Sequence, residues 1–235
     1  MNKNLKIYLI PGLATDGTAY KGLISELKAP CTVLEFKPLD DNESLHDYAE
    51  KMSKDIDDSE PFVLIGTSFG GILATEIAKI KHPEKLILIS SAKSREELSP
   101  IMKVKGGSFF VSMIPDAIMK EIIKKGFHLT SMVRKSFRNI YNEETKAMVA
   151  KSHGSFDKWI MQQINGWDSD FEHQSILHIH GDSDIVFPIK YINGCYIIKG
   201  GTHAMLMNKY KEIAQVINNF LHLTNNKKEM VNAED

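Results

Sequence analysis

The chain has 235 residues, of which 43% are hydrophobic and 25% charged, the usage of an ordinary globular protein rather than a disordered or fibrous one. Lysine and arginine number 29 against 30 acidic residues, so the formal net charge is -1 and bulk electrostatics gives no reason to expect a nucleic acid or a membrane as partner. The expected partner is a small-molecule substrate that is not recognised by charge alone. The composition says nothing about the oligomeric state.

Neither a targeting segment nor a metal site is indicated. The apolar run at residues 5–10 is too short for a signal peptide or a membrane span, so a cytoplasmic protein is expected. Cys31 and Cys195 are the only cysteines and are predicted to be buried free thiols. His178 and His180 alternate with apolar residues on one strand face, and without further ligands they are predicted to be structural. No metal and no cofactor is expected.

Short apolar runs recur along the chain and are predicted to be buried parallel strands, because their length and β-branched content suit a sheet covered on both faces. They lie at residues 5–10, 32–36, 62–65, 86–89, 176–180 and 196–198. The stretches between them have helical periodicity, and the one after Ser44 opens with a capping box completed by Asp47. This alternation predicts an α/β fold: a mostly parallel sheet of about six strands with helices on both faces.

One stretch, at about residues 93–172, interrupts the alternation. It contains no convincing strand but has helical patterns with many large side chains: Phe109, Phe110, Phe127, Phe137, Tyr141, Phe156, Trp159 and Trp167. An insertion of roughly 80 residues is far longer than an ordinary connection. It is predicted to be a helical cap, and we call it the cap segment. No linker separates it from the rest, so residues 1–235 are treated as a single domain.

The most informative segment is Gly66-Thr67-Ser68-Phe69-Gly70, which lies between a purely apolar run and an apolar helical stretch. A tight turn from strand to helix strains the central residue and presents its side chain at the carboxyl end of the sheet, with glycines where larger residues would collide. Ser68 is therefore the candidate nucleophile. A serine hydroxyl needs a base within hydrogen-bond reach, and the base needs an acid to orient it.

Two later segments supply these groups. Residues 176–188 form a predicted strand that leads into a loop with Asp182 and Asp184, and residues 196–206 form a strand that leads through Gly200 and Gly201 to His203. With these motifs in this order, the chain resembles members of the α/β-hydrolase superfamily, which show Gly-x-Ser-x-Gly, then His-Gly-x-x-Asp-x-x-x-Pro, then a glycine-rich turn with a histidine. The resemblance covers everything except the cap segment.

The resemblance implies that Ser68 is the nucleophile, His203 the base and Asp184 the acid. Asp182 is the rival for the acid, and the spacing to Gly181 and Pro188 favours Asp184. An oxyanion hole needs backbone donors. Phe69 supplies one candidate amide and Leu13 the second, with Ala14 as the fallback, because Pro11 has no amide hydrogen. Members of the family usually have a helix between the last two strands, whereas here only residues 189–194 remain for it, so a turn and a compact version of the fold are expected.

These residues predict a serine-dependent hydrolase that cleaves a carboxylic ester or thioester of a small to medium, mostly apolar substrate through an acyl-serine intermediate. The same triad could instead serve acyl transfer, C–C bond hydrolysis or lyase chemistry, and a non-catalytic binding module is a further alternative. The cap segment is expected to leave and re-enter the sheet at its carboxyl edge, and so to roof the site with side chains such as Trp159 and Phe110. For any single one of these aromatic residues, packing of the cap segment onto the sheet is favoured over contact with the substrate.

Overall fold

The structure is a computed structural model that describes residues 5–13, 15–133 and 154–231. Within these residues, six strands form one sheet, and every neighbouring pair is parallel. The strands are β1 (Lys6–Ile10), β2 (Cys31–Val33), β3 (Phe62–Thr67), β4 (Lys85–Ile89), β5 (Ile176–Gly181) and β6 (Tyr196–Ile198). Their spatial order is β2-β1-β3-β4-β5-β6. The predicted α/β class and the number of strands are confirmed.

The sheet is covered on both faces, which is why its central strands read as unbroken apolar runs. Alternate residues of each strand point to opposite sides, so that Tyr8 and Leu64 join one apolar cluster while Leu9 and Ile65 join the other. The first cluster is completed by helices that follow β2 and β3, and the second by a helix near each end of the chain. Two separate cores therefore hold the sheet in place.

An α-helix follows each of β1, β2, β3 and β6, in agreement with the predicted alternation, and three more lie in the described part of the cap segment. The helices that the structure describes are α1 (Lys21–Glu26), α2 (Leu45–Ser53), α3 (Phe69–Lys81), α4 (Gly107–Ser112), α5 (Asp116–Val133), α6 (Gly154–Gly166) and α7 (Tyr210–Val231). The capping box predicted for α2 is present, since the Ser44 hydroxyl accepts from the Asp47 amide and the Asp47 carboxylate accepts from the Ser44 amide. None of the helices in these residues is long and apolar enough to cross a bilayer.

The edge strand β2 begins one residue before the predicted run and ends three residues before it. Its only neighbouring strand among the described residues is β1. Its register pairs Cys31 with Ile7 and Val33 with Leu9, and β1 ends at Ile10. The predicted strand residues 35 and 36 thus have no neighbouring strand to pair with. Residues 189–191 form a single 3-10 turn between β5 and β6, in agreement with the reduced connection that was expected.

The cap segment contains helices and 3-10 turns but no strand in its described part, residues 93–133 and 154–172. It leaves the sheet at the carboxyl end of β4. Because β5 is parallel to β4, it must return at the amino end of β5, so the expectation that it re-enters at the carboxyl edge is wrong. Phe137 and Tyr141 lie outside the described residues.

Side chains attach the cap segment to the rest of the molecule. The indole of Trp167 donates to Glu76 Oε1 of α3 at 2.8 Å, and the guanidinium of Arg95 donates to the Trp167 carbonyl at 2.7 Å. The indole of Trp159 donates to the Glu43 carbonyl, just before α2, at 2.8 Å. The segment is thereby tied both to itself and to two helices of the sheet layer.

Candidate active site

Ser68 occupies the turn between β3 and α3, and its backbone is strained. Its φ of 56° and ψ of -125° lie in a region that residues with a side chain rarely adopt. The turn is possible because its neighbours are glycines: a Cβ on Gly66 would lie 2.1 Å from the Gly70 carbonyl oxygen, and one on Gly70 would lie 2.3 Å from the Ile10 carbonyl oxygen. This is the geometry of a nucleophile elbow.

Two bonds from the neighbouring strand hold the elbow. The Ser68 amide donates to the Ile89 carbonyl at 3.0 Å, and the Ser91 hydroxyl donates to the Ser68 carbonyl at 2.7 Å. Sequence reasoning missed Ser91. The available signal was a pair of serines directly after β4, and Ser90 itself has a positive φ of 49°. Gly71 makes room for this bond, because a Cβ there would lie 2.3 Å from the Ser91 hydroxyl oxygen.

His203 lies between Ser68 and Asp184. Its Nδ1 is 2.9 Å from Asp184 Oδ2 and its Nε2 is 3.0 Å from Ser68 Oγ. A carboxylate only accepts, so Nδ1 carries the proton and Nε2 accepts from the serine hydroxyl. The Phe187 ring stacks on the imidazole with centroids 5.7 Å apart. The structure therefore brings together the three residues singled out by the motifs, in an arrangement suited to moving a proton from Ser68 to His203.

The carboxylate that faces His203 belongs to Asp184 and not to its rival Asp182. Asp184 is buried, and its second oxygen accepts from the amides of Val186 and Phe187 at 2.8 and 2.9 Å. Burial alone would raise the pKa of Asp184, but the charge and hydrogen bond of His203 and the Phe187 amide outweigh it and lower the pKa. Asp182 is exposed and accepts from the Gly200 amide at 2.8 Å, which shapes the turn before His203.

His178 and His180 lie on one face of β5, with their rings edge to face and centroids 5.4 Å apart. His178 Nε2 donates to the Ser91 carbonyl at 3.0 Å, and His180 Nε2 donates to the Phe187 carbonyl at 2.8 Å. Burial lowers both pKa values, to about 3 for His178, and so favours the neutral form of each ring. In the described chain, no cluster of residues suited to holding a metal is found. These contacts support the structural interpretation of the two histidines.

Of the two residues predicted to form the oxyanion hole, Phe69 directly follows Ser68 and Leu13 lies in the loop after β1. Phe69 is the first residue of α3, and the first amides of a helix have no acceptor within it. The loop after β1 passes against the elbow, since a Cβ on Gly12 would lie 3.0 Å from Ser68 Cβ. Leu13 follows directly. The fallback residue Ala14 lies outside the described residues.

The structure corrects the expectations about Phe110 and the two cysteines, and it supports the packing alternative for Trp159. Phe110 is 65% exposed, so it does not form part of a buried roof. Trp159 is buried in the core cluster that includes Phe69, where it packs the cap segment onto α3. Cys31 and Cys195 are free but only partly buried, because each lies at or beside an edge strand.

The sequence matches no family model and no curated protein. Solved structures do resemble it. An esterase from Thermogutta terrifontis superposes with a TM-score of 0.70 at 17% identity, over 94% of this chain and 90% of that one. A hydrolase from Pseudomonas aeruginosa gives 0.70 at 15%, over 94% and 91%. The thioesterase RedJ of the prodiginine pathway in Streptomyces coelicolor gives 0.62 at 11%, over 92% and 90%. The chain has the α/β-hydrolase fold.

Proposed function

We propose that the protein is a serine hydrolase that cleaves a carboxylic ester or thioester of a small-molecule substrate. The observation that carries the proposal is the continuous pair of hydrogen bonds from Ser68 Oγ to His203 Nε2 and from His203 Nδ1 to Asp184 Oδ2, at 3.0 and 2.9 Å. A strained serine at an elbow, linked in this way to a base and a buried carboxylate, is suited to nucleophilic attack on a carbonyl.

In the first half of the proposed reaction, Ser68 Oγ attacks the carbonyl carbon while His203 Nε2 takes the hydroxyl proton. The carbonyl electron pair moves onto oxygen, and the amides of Leu13 and Phe69 donate to the resulting oxyanion. When the tetrahedral intermediate collapses, the bond to the alcohol or thiol breaks. His203 returns its proton to that leaving group, and the acyl group stays on Ser68.

In the second half, His203 takes a proton from water as the water attacks the acyl-serine. The bond from the acyl carbon to Ser68 Oγ then breaks, His203 returns the proton to Ser68 Oγ, and the acid leaves. Asp184 keeps its negative charge throughout and stabilises the imidazolium. Its lowered pKa fits that role, because it favours the ionised carboxylate that stabilises the imidazolium. The residues of the chain supply each proton transfer, so the reaction needs no cofactor.

The substrate class is inferred from the surroundings of the site. The neighbouring side chains Leu13, Phe69 and Phe187 are apolar and mostly buried. The solved structures that share the fold include proteins described as esterases and a thioesterase. Both observations support a small to medium, mostly apolar acyl or alcohol group.

A fluorophosphonate probe tests the proposal. We expect it to label the wild-type protein on Ser68, and we expect Ser68→Ala to abolish labelling while the midpoint of thermal unfolding stays near that of the wild type. Ser112→Ala is the matched control, since Ser112 is exposed and its hydroxyl donates only to the Phe109 carbonyl of its own helix in the described contacts. An adduct on another residue, or no adduct on the folded wild-type protein, would contradict the proposal.

Transfer of the acyl group to an acceptor other than water would use the same three residues. Product analysis distinguishes a hydrolase from an acyltransferase when a p-nitrophenyl ester is supplied with increasing concentrations of an alcohol or amine. A hydrolase releases mainly the free acid, whereas a transferase forms the new ester or amide in proportion to the acceptor. The same product analysis detects C–C bond hydrolysis or lyase chemistry, and a binding module would release no product.

A further inference from the structure

The two residues whose amides we assign to the oxyanion hole are each contacted by a different helix of the cap segment. The Leu13 side chain packs against Met119 of α5, which is fully buried and also touches Val111 and Ile114. The Phe69 ring meets Trp159 of α6 edge to face, with centroids 5.9 Å apart. The cap segment therefore contacts both residues assigned to the oxyanion hole, each through one large side chain.

The Trp159 contact is itself held rigidly. Its indole donates to the Glu43 carbonyl at 2.8 Å, and its rings stack on Phe156 with centroids 5.7 Å apart. Glu43 in turn pairs with Lys51 of α2 at 2.7 Å. Trp159 thus connects Phe69 to the loop before α2, on the side of the sheet that carries the larger core cluster.

The two amides differ in how firmly their backbones are fixed. The Phe69 amide opens α3 directly after the strained Ser68, so the helix and the elbow already set its direction. Leu13 lies in a loop, where the Thr15 amide and hydroxyl both donate to the Gly12 carbonyl, at 3.2 and 2.8 Å. The Leu13 side chain anchors its part of the loop, because it packs against both the main core and Met119.

Donors in an oxyanion hole accelerate a reaction only when they are already aimed at the position where charge develops. A side chain that fixes the backbone of a donor therefore acts on the transition state without touching the substrate. We propose that Met119 and Trp159 are positioning residues, and that α5 and α6 hold the oxyanion hole in shape through Leu13 and Phe69. This inference rests on the proposed hydrolase function, and it makes Met119 the more influential of the two.

The test is a series at position 119 assayed with one activated ester. We expect Met119→Ala to lower kcat roughly 10- to 100-fold with KM changed by less than about threefold, below the 100- to 1,000-fold typical of deleting a donor outright. Met119→Leu preserves the volume and should stay within about threefold of the wild type, with Met119→Val in between. Met113→Ala, at a position in the same segment that is 66% exposed, is the matched control and should leave kcat unchanged.

A trifluoromethyl ketone supplies a second readout, because its adduct with Ser68 places an oxyanion in the hole. Its inhibition constant should weaken across the series in parallel with kcat/KM, which loss of stability alone would not produce. Trp159→Phe keeps a ring near Phe69 and should lower kcat less than Met119→Ala does. We expect the final extent of fluorophosphonate labelling to stay complete in every variant, since Ser68 and His203 are intact.

The outcomes separate the two proposals. If the wild-type protein neither binds the probe nor hydrolyses any ester, the hydrolase assignment is wrong. If the wild type is active and Met119→Ala behaves like Met113→Ala, the positioning role is wrong while the hydrolase assignment stands. A change in KM alone would make Met119 a substrate contact and overturn the proposal. Should Met119→Ala fail to fold, an unchanged kcat in Met119→Val overturns it equally.

Discussion

The carboxyl edge of the sheet and the cap segment are held together in different ways. At the sheet edge, backbone geometry fixes the chemistry: Ser68 has a positive φ, its amide and carbonyl are bonded to the strand end beside it, and Gly66 and Gly70 leave no room for a side chain. The cap segment is attached mainly by individual side chains, such as Trp159 and Trp167. We therefore expect single substitutions to have large effects on activity and stability at the sheet edge and smaller, graded effects in the cap segment.

The largest effect is expected at the sheet edge, where the two aspartates of one loop can be compared directly. Asp184→Asn should lower kcat about 10,000-fold, because the amide no longer holds His203 in the tautomer that accepts from Ser68. Asp182→Asn should lower it less than about tenfold, since an asparagine oxygen can still accept from the Gly200 amide. Steady-state kinetics of both variants checks this, and the opposite ranking would move the acid to Asp182.

A pair of glycines compares the two regions with the same substitution. Gly70→Ala places a methyl group 2.3 Å from the carbonyl oxygens of Ile10 and Pro11, so we expect the free energy of unfolding to fall by about 1–3 kcal/mol and the activity to drop. Gly166→Ala meets nothing within 4 Å at the end of α6, and alanine favours helix by up to about 1 kcal/mol. Urea unfolding measures the free energy of unfolding of both variants. An equal decrease in the two would contradict the difference between the sheet edge and the cap segment.

A smaller effect is expected from pH. The folded pKa of His178 is lowered to about 3 by burial, so between that value and the unfolded value near 6.5 the unfolded chain binds more protons. The contribution of His178 to the free energy of unfolding is then fully present above pH 6.5. It falls as the pH decreases, by up to about 1.4 kcal/mol per pH unit for each such histidine. Asp184, whose pKa is lowered, adds an acid-sensitive contribution only below about pH 4.

Urea unfolding at pH 7.5 and pH 5 tests this assignment. His178→Gln can still donate to the Ser91 carbonyl but does not titrate. Between pH 7.5 and pH 5 its free energy of unfolding should therefore fall by about 2 kcal/mol less than that of the wild type. His46→Gln is the control, because the His46 side chain is 63% exposed and should leave the pH dependence of stability close to that of the wild type. An unchanged slope in His178→Gln would show that the buried ring does not cause the acid sensitivity.

The smallest effect concerns substrate selection by the cap segment. If an apolar group of the substrate is buried beneath it, each added methylene should contribute about 0.8 kcal/mol, or roughly fourfold in kcat/KM, until the space is filled. A series of p-nitrophenyl esters of increasing chain length measures this, with Ser68→Ala as the background. A flat profile would mean that the cap segment does not select the substrate, and would leave it only the positioning role through Met119 and Trp159.

Much of the fold and the membership of the candidate site could be read from short segments of sequence. The alternation of apolar runs and helical stretches predicted the parallel sheet, and the capping box placed the start of α2. The glycines around Ser68 predicted a tight turn from β3 into α3. These features depend on neighbours a few residues apart, so they leave a pattern in the sequence. The catalytic roles of Ser68, His203 and Asp184 stay a prediction.

What the sequence left open depends on contacts between distant parts of the chain. By itself the sequence determined the class of fold, the elbow at Ser68 and the order of the three motifs, because strand period and turn sterics are local. Only the tertiary structure decided that Asp184 rather than Asp182 faces His203, that Ser91 bonds the elbow and that Met119 packs on Leu13. Each of these follows from packing between elements brought together by folding, and such packing has no period that a sequence pattern records.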